Sequence, residues 1–259
     1  MSLVAGLRSA LGHRGLGFLP EREKDQRTRD FDRLGLISTG VAPSYSLRHS
    51  VQSVLNQLGT ESCVSNAITQ AVTMRQFLIG EPCPLGSRLY HYFNGRAYSG
   101  DETHDLGMYL LNGFKALKLG LPNEKYWPFD PWKVNRRPPW NASRMALGTA
   151  PKLMKGYYRI SSGLSRAERA LAVKAALASE RPVIGGWAVD RAFTKDAGPL
   201  LVDTPTGDLA GNHAMVVTDY DSNSYELLSS WGDTWRDHGF VRVTEDYLLT
   251  SLELYVLDL

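Results

Sequence analysis

Only two cysteines, Cys63 and Cys83, stand in 259 residues. That excludes a disulfide scaffold, and a chain of this length buries enough core to fold without one. A reducing compartment is the simplest implication. Long apolar runs are also lacking: no segment approaches the roughly 20 residues that span a bilayer. The mildly apolar opening MSLVAGLRSALGHRGLG is interrupted by Arg8, His13 and Arg14 before a signal-peptide core can form. The expectation is a soluble, cytoplasmic product with no membrane partner. Neither sign of charge dominates, since 29 basic side chains face 27 acidic ones for a net +2, so nothing in the balance calls for nucleic acid. His91, His104 and His238 lack the local spacing of a metal site, and two distant cysteines make no zinc pattern. GLG and LGLP lack the Lys and Ser or Thr of a phosphate loop. No metal or other cofactor is implied.

What is present is an ordinary globular balance, 43% apolar and 22% charged, without repeats or low-complexity tracts. Residues 1–45, which include the mixed-sign run EREKDQRTRDFDR, read as an extension or arm, and 46–259 as the folded body. From Cys63, the residues Val64, Ala67, Ile68, Ala71 and Val72 recur at helical spacing until Gly80 and Pro82 stop them. A second helical pattern runs from Met108 through Leu117 to Gly120. Five prolines between 122 and 139 then mark a long irregular passage. Ser165 and Glu168 form a capping-box pattern ahead of another helix. After PVIGGWAV, the runs LLVD, HAMVVTDY, YELLSS, GFVRV and LYVLDL are short and β-rich. The fold class expected is α+β, a helical lobe over about 60–150 followed by an antiparallel β lobe over about 155–259, with a site in the cleft between them.

A cysteine in the first turn of a helix has its thiolate favoured by the helix dipole, and Cys63 holds that position. Gln57 precedes it in NQLGTESC. His213 opens HAMVVTDY 150 residues downstream, in line with the ~130 to 150 expected of a papain-type pair. SSWGDTWRDHGFVRV then begins with Ser229, Ser230, Trp231 and Gly232. These blocks resemble the papain-like C1 cysteine peptidases, whose motifs are a Gln before Gly-Ser-Cys, a His-Ala pair opening a strand, and Asn-Ser-Trp-Gly. GFLPEREKDQRTRDF, PSYSLRH, SRLYHYFNGR and KYWPFD are similar to the prokaryotic and phage-type branch without a long inhibitory propeptide, so the resemblance covers about Gly17 to Leu259. It implies a two-lobed papain-like fold, an extended peptide or protein as substrate, and hydrolysis through a thioester on Cys63. His213 is then the base, Gln57 an oxyanion donor, Ser229 the residue orienting the imidazole, and Trp231 its shield. Asp105, Leu106 and Gly107 resemble the segment whose backbone pairs with substrate, and Asn212 stands just before the base.

Three positions depart from the pattern. Ser229 replaces the family Asn, and its shorter side chain is expected to reach the imidazole only through water. Glu61 replaces a small residue two positions before the nucleophile, where its charge opposes a thiolate and its bulk narrows the groove. Val64 follows the nucleophile where many members carry an aromatic residue. Ser229 and Glu61 support an alternative: a catalytically impaired papain-fold component of a larger assembly, joined to a protein partner by the N-terminal arm. If the source is a phage, such a component belongs in the virion. Trp235 and Phe240 are expected to fill the β core, and Cys83, between two prolines, to be neither nucleophile nor disulfide partner.

Overall fold

A computed structural model describes residues 14–21, 29–31, 40–150, 153–205 and 207–259. Most of the charged run in the arm lies outside the described residues. Three short strands come first: β1 (Phe18–Leu19), β2 (Arg29–Asp30) and β3 (Tyr45–Ser46). Helices then dominate up to residue 149: α1 (Cys63–Leu78), α2 (Arg88–Ala97), the two-residue β4 (Met108–Tyr109), α3 (Leu110–Leu117) and α4 (Trp140–Thr149). The remainder comprises β5 (Gly156–Arg159), α5 (Arg166–Ala178), β6 (Val183–Asp190), β7 (Leu201–Val202), β8 (Leu209–Tyr220), β9 (Tyr225–Leu228), β10 (Phe240–Val243), α6 (Glu245–Leu249) and β11 (Glu253–Asp258).

Three helices, α2, α4 and the five-residue α6, showed no helical pattern in the sequence. In α2 the buried positions mix Leu89, Tyr92 and Phe93 with Arg88, His91 and Arg96, so the apolar stripe is short and interrupted by charge. Ser87 caps it by accepting from Tyr90 N at 3.3 Å. Helix α4 follows Pro139, which stands at its N-cap, so proline here starts a helix where the sequence suggested irregular chain. The capping box forms as expected: Ser165 Oγ accepts from Glu168 N, and Glu168 Oε2 accepts from Ser165 N at 2.8 Å.

Among the described residues the main sheet runs β2-β5-β11-β6-β8-β9-β10-β7, with β3 added beside β8. Its central pair, β6 and β8, is antiparallel and places Trp187 opposite His213 and Gly186 opposite Ala214. Helix α1 packs against β8, and its first twelve residues are buried on every face. Several of its polar residues find partners inside the protein, as where Ser65 Oγ donates to Arg88 O at 2.8 Å and Thr69 Oγ1 to Ser65 O at 2.8 Å, while Gln70 Oε1 has none among the described residues. This packing carries the start of α1 to the middle of β8. Trp235 and Phe240 are buried in the β core.

Candidate active site

Cys63 is the first residue of α1 and is fully buried. Helix geometry leaves its N–H among the unpaired donors of the first turn. Burial pushes its thiol up to about 12, although the backbone N–H groups of Ala214, Val64 and Gly17 reach the sulfur and favour the thiolate; Glu61 raises the value further. Cys83 is partly exposed, and both cysteines are free.

His213 on β8 is likewise buried, and the donor from Ala214 places its immediate neighbour on the thiol. Imidazole Nε2 lies 3.0 Å from Ser229 Oγ. This contact is direct, where the serine's short reach suggested a bridging water, because Ser229, the first residue after β9, brings its hydroxyl within hydrogen-bond distance of Nε2. Nδ1 has no hydrogen-bond partner among the described residues. Trp231 stacks on the imidazole, with centroids 4.1 Å apart and planes at 20°, and excludes water from that face. Burial pushes His213 down to about 3, with Arg14 adding to the effect. Both groups are thus held neutral.

Gln57 is fixed by the segment that bears Trp231. Its backbone N–H donates to Ser230 O at 2.8 Å, its Oε1 accepts from Ser230 Oγ at 2.6 Å, and Gly232 N donates to Leu55 O at 3.0 Å. These bonds leave the side-chain amide pointing one way. Nε2 donates to Thr60 O at 2.7 Å and to Gly15 O at 3.2 Å.

The second acceptor belongs to the N-terminal arm, and sequence reasoning did not place it here. Residues 14–19 cross the cleft over the thiol. Leu16 N donates to Glu61 Oε2 at 2.6 Å, Gly17 bridges Asn212, Met108 N donates to Gly17 O at 2.8 Å, and β1 runs parallel to β4. Phe18 is buried against β6, where a Cβ on Gly186 would come within 2.1 Å of its ring. Arg14 bonds to Thr194, Asp196 and the Trp231 carbonyl. A Cβ at Gly15 would stand 1.7 Å from Thr60 O, and one at Gly17 1.9 Å from Glu61 O, so only glycine permits this approach. The RGLGF glycines were the available signal. Glu61, expected to narrow the groove, also anchors what fills it.

The segment from Asp105 to Gly107 stands beside this strand. Asp105 Oδ1 accepts from Glu61 N at 3.0 Å and from Tyr92 OH at 2.8 Å, Leu106 is exposed, and Gly107 takes φ 90° with its Cα side against Gly17 O. The backbone pairing itself falls one residue later, on Met108. Among the described residues no cluster of His, Cys, Asp or Glu could hold a metal, and no helix is long and apolar enough to cross a membrane.

No family model matches the chain. An uncharacterised peptidase C1-like protein of Acanthamoeba polyphaga mimivirus is 27% identical over 206 residues, covering 76% of this chain. The chain spans 65% of the length of that curated relative. Among solved structures, Xylellain, a cysteine protease from Xylella fastidiosa, is similar with a TM-score of 0.81 at 24% identity, over 94% of this chain and 96% of that one. Digestive procathepsin L 3 of Tenebrio molitor larval midgut gives 0.69 at 18% identity, over 99% and 87%. A Carica candamarcensis cysteine protease gives 0.64 at 20%, over 84% and 98%. The fold is that of the papain-like cysteine peptidases, a mixed α+β architecture.

Proposed function

We propose that the chain is a papain-like cysteine endopeptidase held latent by its own residues 14–19. The observation that supports this reading is an extended peptide tied to Gln57, Glu61 and Asn212, the neighbours in sequence or strand of the thiol and the imidazole. When the cleft opens, exposure of the thiol and imidazole to water removes the burial that keeps both neutral, and a thiolate beside an imidazolium becomes accessible. Nδ1 takes the thiol proton while Nε2–H donates to Ser229 Oγ. The thiolate attacks the scissile carbonyl carbon, and the oxyanion is received by Gln57 Nε2 and the N–H of Cys63. Imidazolium returns the proton to the departing amine. Water, deprotonated by the same imidazole, then attacks the thioester and releases the acid and the thiol.

The segment is held by its own backbone: Leu16 N donates to Glu61 Oε2, Gly17 O accepts from Met108 N, and Gly15 O accepts from Gln57 Nε2, so a donor proposed for the oxyanion is already taken. Treatment with an epoxysuccinyl inhibitor followed by mass spectrometry tests the reading: an adduct on Cys63 with none on Cys83, together with hydrolysis of a peptide lost in Cys63→Ala, is the expected result. Absence of any adduct under conditions that displace the segment would overturn it.

A further inference from the structure

We propose that Asp196, the Thr194 carbonyl and the face of Trp231 form a subsite selecting a cationic side chain on the leaving-group side of the scissile bond; this rests on the peptidase reading above. Arg14 occupies that position. Its Nε donates to Thr194 O at 2.7 Å, Nη1 to Trp231 O at 3.4 Å and Nη2 to the Asp196 carboxylate, with Cζ 5.2 Å from the Trp231 ring centroid. Two carbonyls, a carboxylate and an indole face together recognise a planar cation with several donors.

The side of the cleft follows from the chemistry. His213 must hand its proton to the departing amine, so the departing chain lies past the imidazole and the Trp231 stacked on it. Residues 14–19 have their N-terminal end there, with Arg14 against Trp231, whereas a substrate places its C-terminal portion there, so a substrate runs the other way. Its C-terminal portion covers the ground that Arg14 covers. The loop is preformed: Arg236 N donates to Asp196 O at 2.9 Å, and Arg236 Nη2 donates to Ala192 O at 2.9 Å and Phe193 O at 3.3 Å. Beyond Asp196 opens a cavity of about 660 Å³ that also carries Arg48 and Phe240, giving the departing chain room to continue.

The Asp196 side chain is 70% exposed even beside Arg14, so the preference is modest, about fivefold, and screened by salt. Internally quenched peptides carrying Arg, Ala or Glu at each of the first three positions after the scissile bond test it on the full-length protein. The readout is the ratio of kcat/KM for Arg over Glu, which is internal to each variant and therefore unaffected by any change in latency. The wild type should prefer Arg about fivefold at one position, Asp196→Ala should abolish the preference, Asp196→Arg should reverse it, and high salt should shrink it. Ratios equal in wild type and Asp196→Ala would overturn the subsite and leave the peptidase reading standing. Cys63 labelling without cleavage of any peptide would also overturn the subsite. No cleavage and no Cys63 adduct would overturn the peptidase reading and the subsite with it.

Discussion

Leu16 N donates to Glu61 Oε2 at 2.6 Å, and Glu61 stands two residues before Cys63 in the turn that leads into α1. The carboxylate thus anchors the covering segment and raises the pKa of the thiol beneath it. A hydrogen bond to a charged group is worth about 1.5 to 3 kcal/mol. Glu61→Ala is therefore expected to speed epoxide labelling of Cys63 by about tenfold or more, with Glu61→Gln intermediate because it keeps an acceptor without the charge. An unchanged rate in both variants would show that the anchor does not limit opening.

The two glycines of the segment give a sharper test, because their constraint is steric. An added Cβ meets backbone oxygen at 1.7 Å for Gly15 and 1.9 Å for Gly17, and a backbone atom cannot swing aside. Gly15→Ala and Gly17→Ala should each expel the segment and expose Cys63 to labelling, while Gly40→Ala, where nothing lies within 4 Å, should leave the rate unchanged. Retained latency in Gly17→Ala would place the segment elsewhere in solution.

Much of the β half was legible because its strands are short β-branched runs between turn residues, and α1 because its apolar residues recur from Cys63 onward. Helix α2 was not, since it buries arginine and histidine whose partners, such as Glu124 for Arg88 at 2.6 Å, come from distant sequence. The same limit governs the site. Cys63, Gln57 and His213 sit in short motifs with a recognisable order. The contact of Arg14 with Asp196, 182 residues away, leaves no local pattern at either end. Nothing in the chain near Ser229 foretold that backbone position would compensate for side-chain length.

The neutral state of His213 sets a pH dependence. Its folded pKa lies near 3, below the ordinary 6.5, so between those values the unfolded chain binds a proton that the folded chain does not. The stability associated with a neutral His213 is complete above pH 6.5 and is lost as pH falls, by up to about 1.4 kcal/mol per pH unit. For Cys63, raised to about 12, the sign is opposite: stability is complete below its ordinary range and falls as pH rises toward 12. Denaturant unfolding of wild type and His213→Asn from pH 7 to 4 isolates the first effect, since other titrating groups are common to both. Wild type should lose stability more steeply. Parallel curves would mean that His213 is already solvated in the resting protein.

Ser229 is the clearest departure from the family pattern, and the structure changes what to expect of it. Its Oγ lies 3.0 Å from His213 Nε2, a full hydrogen bond without an intermediary. Serine therefore already fixes the ring's rotation and favours a free Nδ1, with Trp231 shielding the bond. Ser229→Ala removes the acceptor while keeping the fold, and loss of about 1.4 kcal/mol of transition-state stabilisation lowers kcat/KM about tenfold. Ser229→Asn adds a carbonyl acceptor where contact exists and a cavity of only about 10 Å³ adjoins Ser229, so the longer side chain must displace its neighbours. Its kcat/KM should stay within a few-fold of wild type. A tenfold gain in Ser229→Asn, measured on the labelled active fraction, would show that serine holds the imidazole poorly and that the 3.0 Å contact does not serve catalysis.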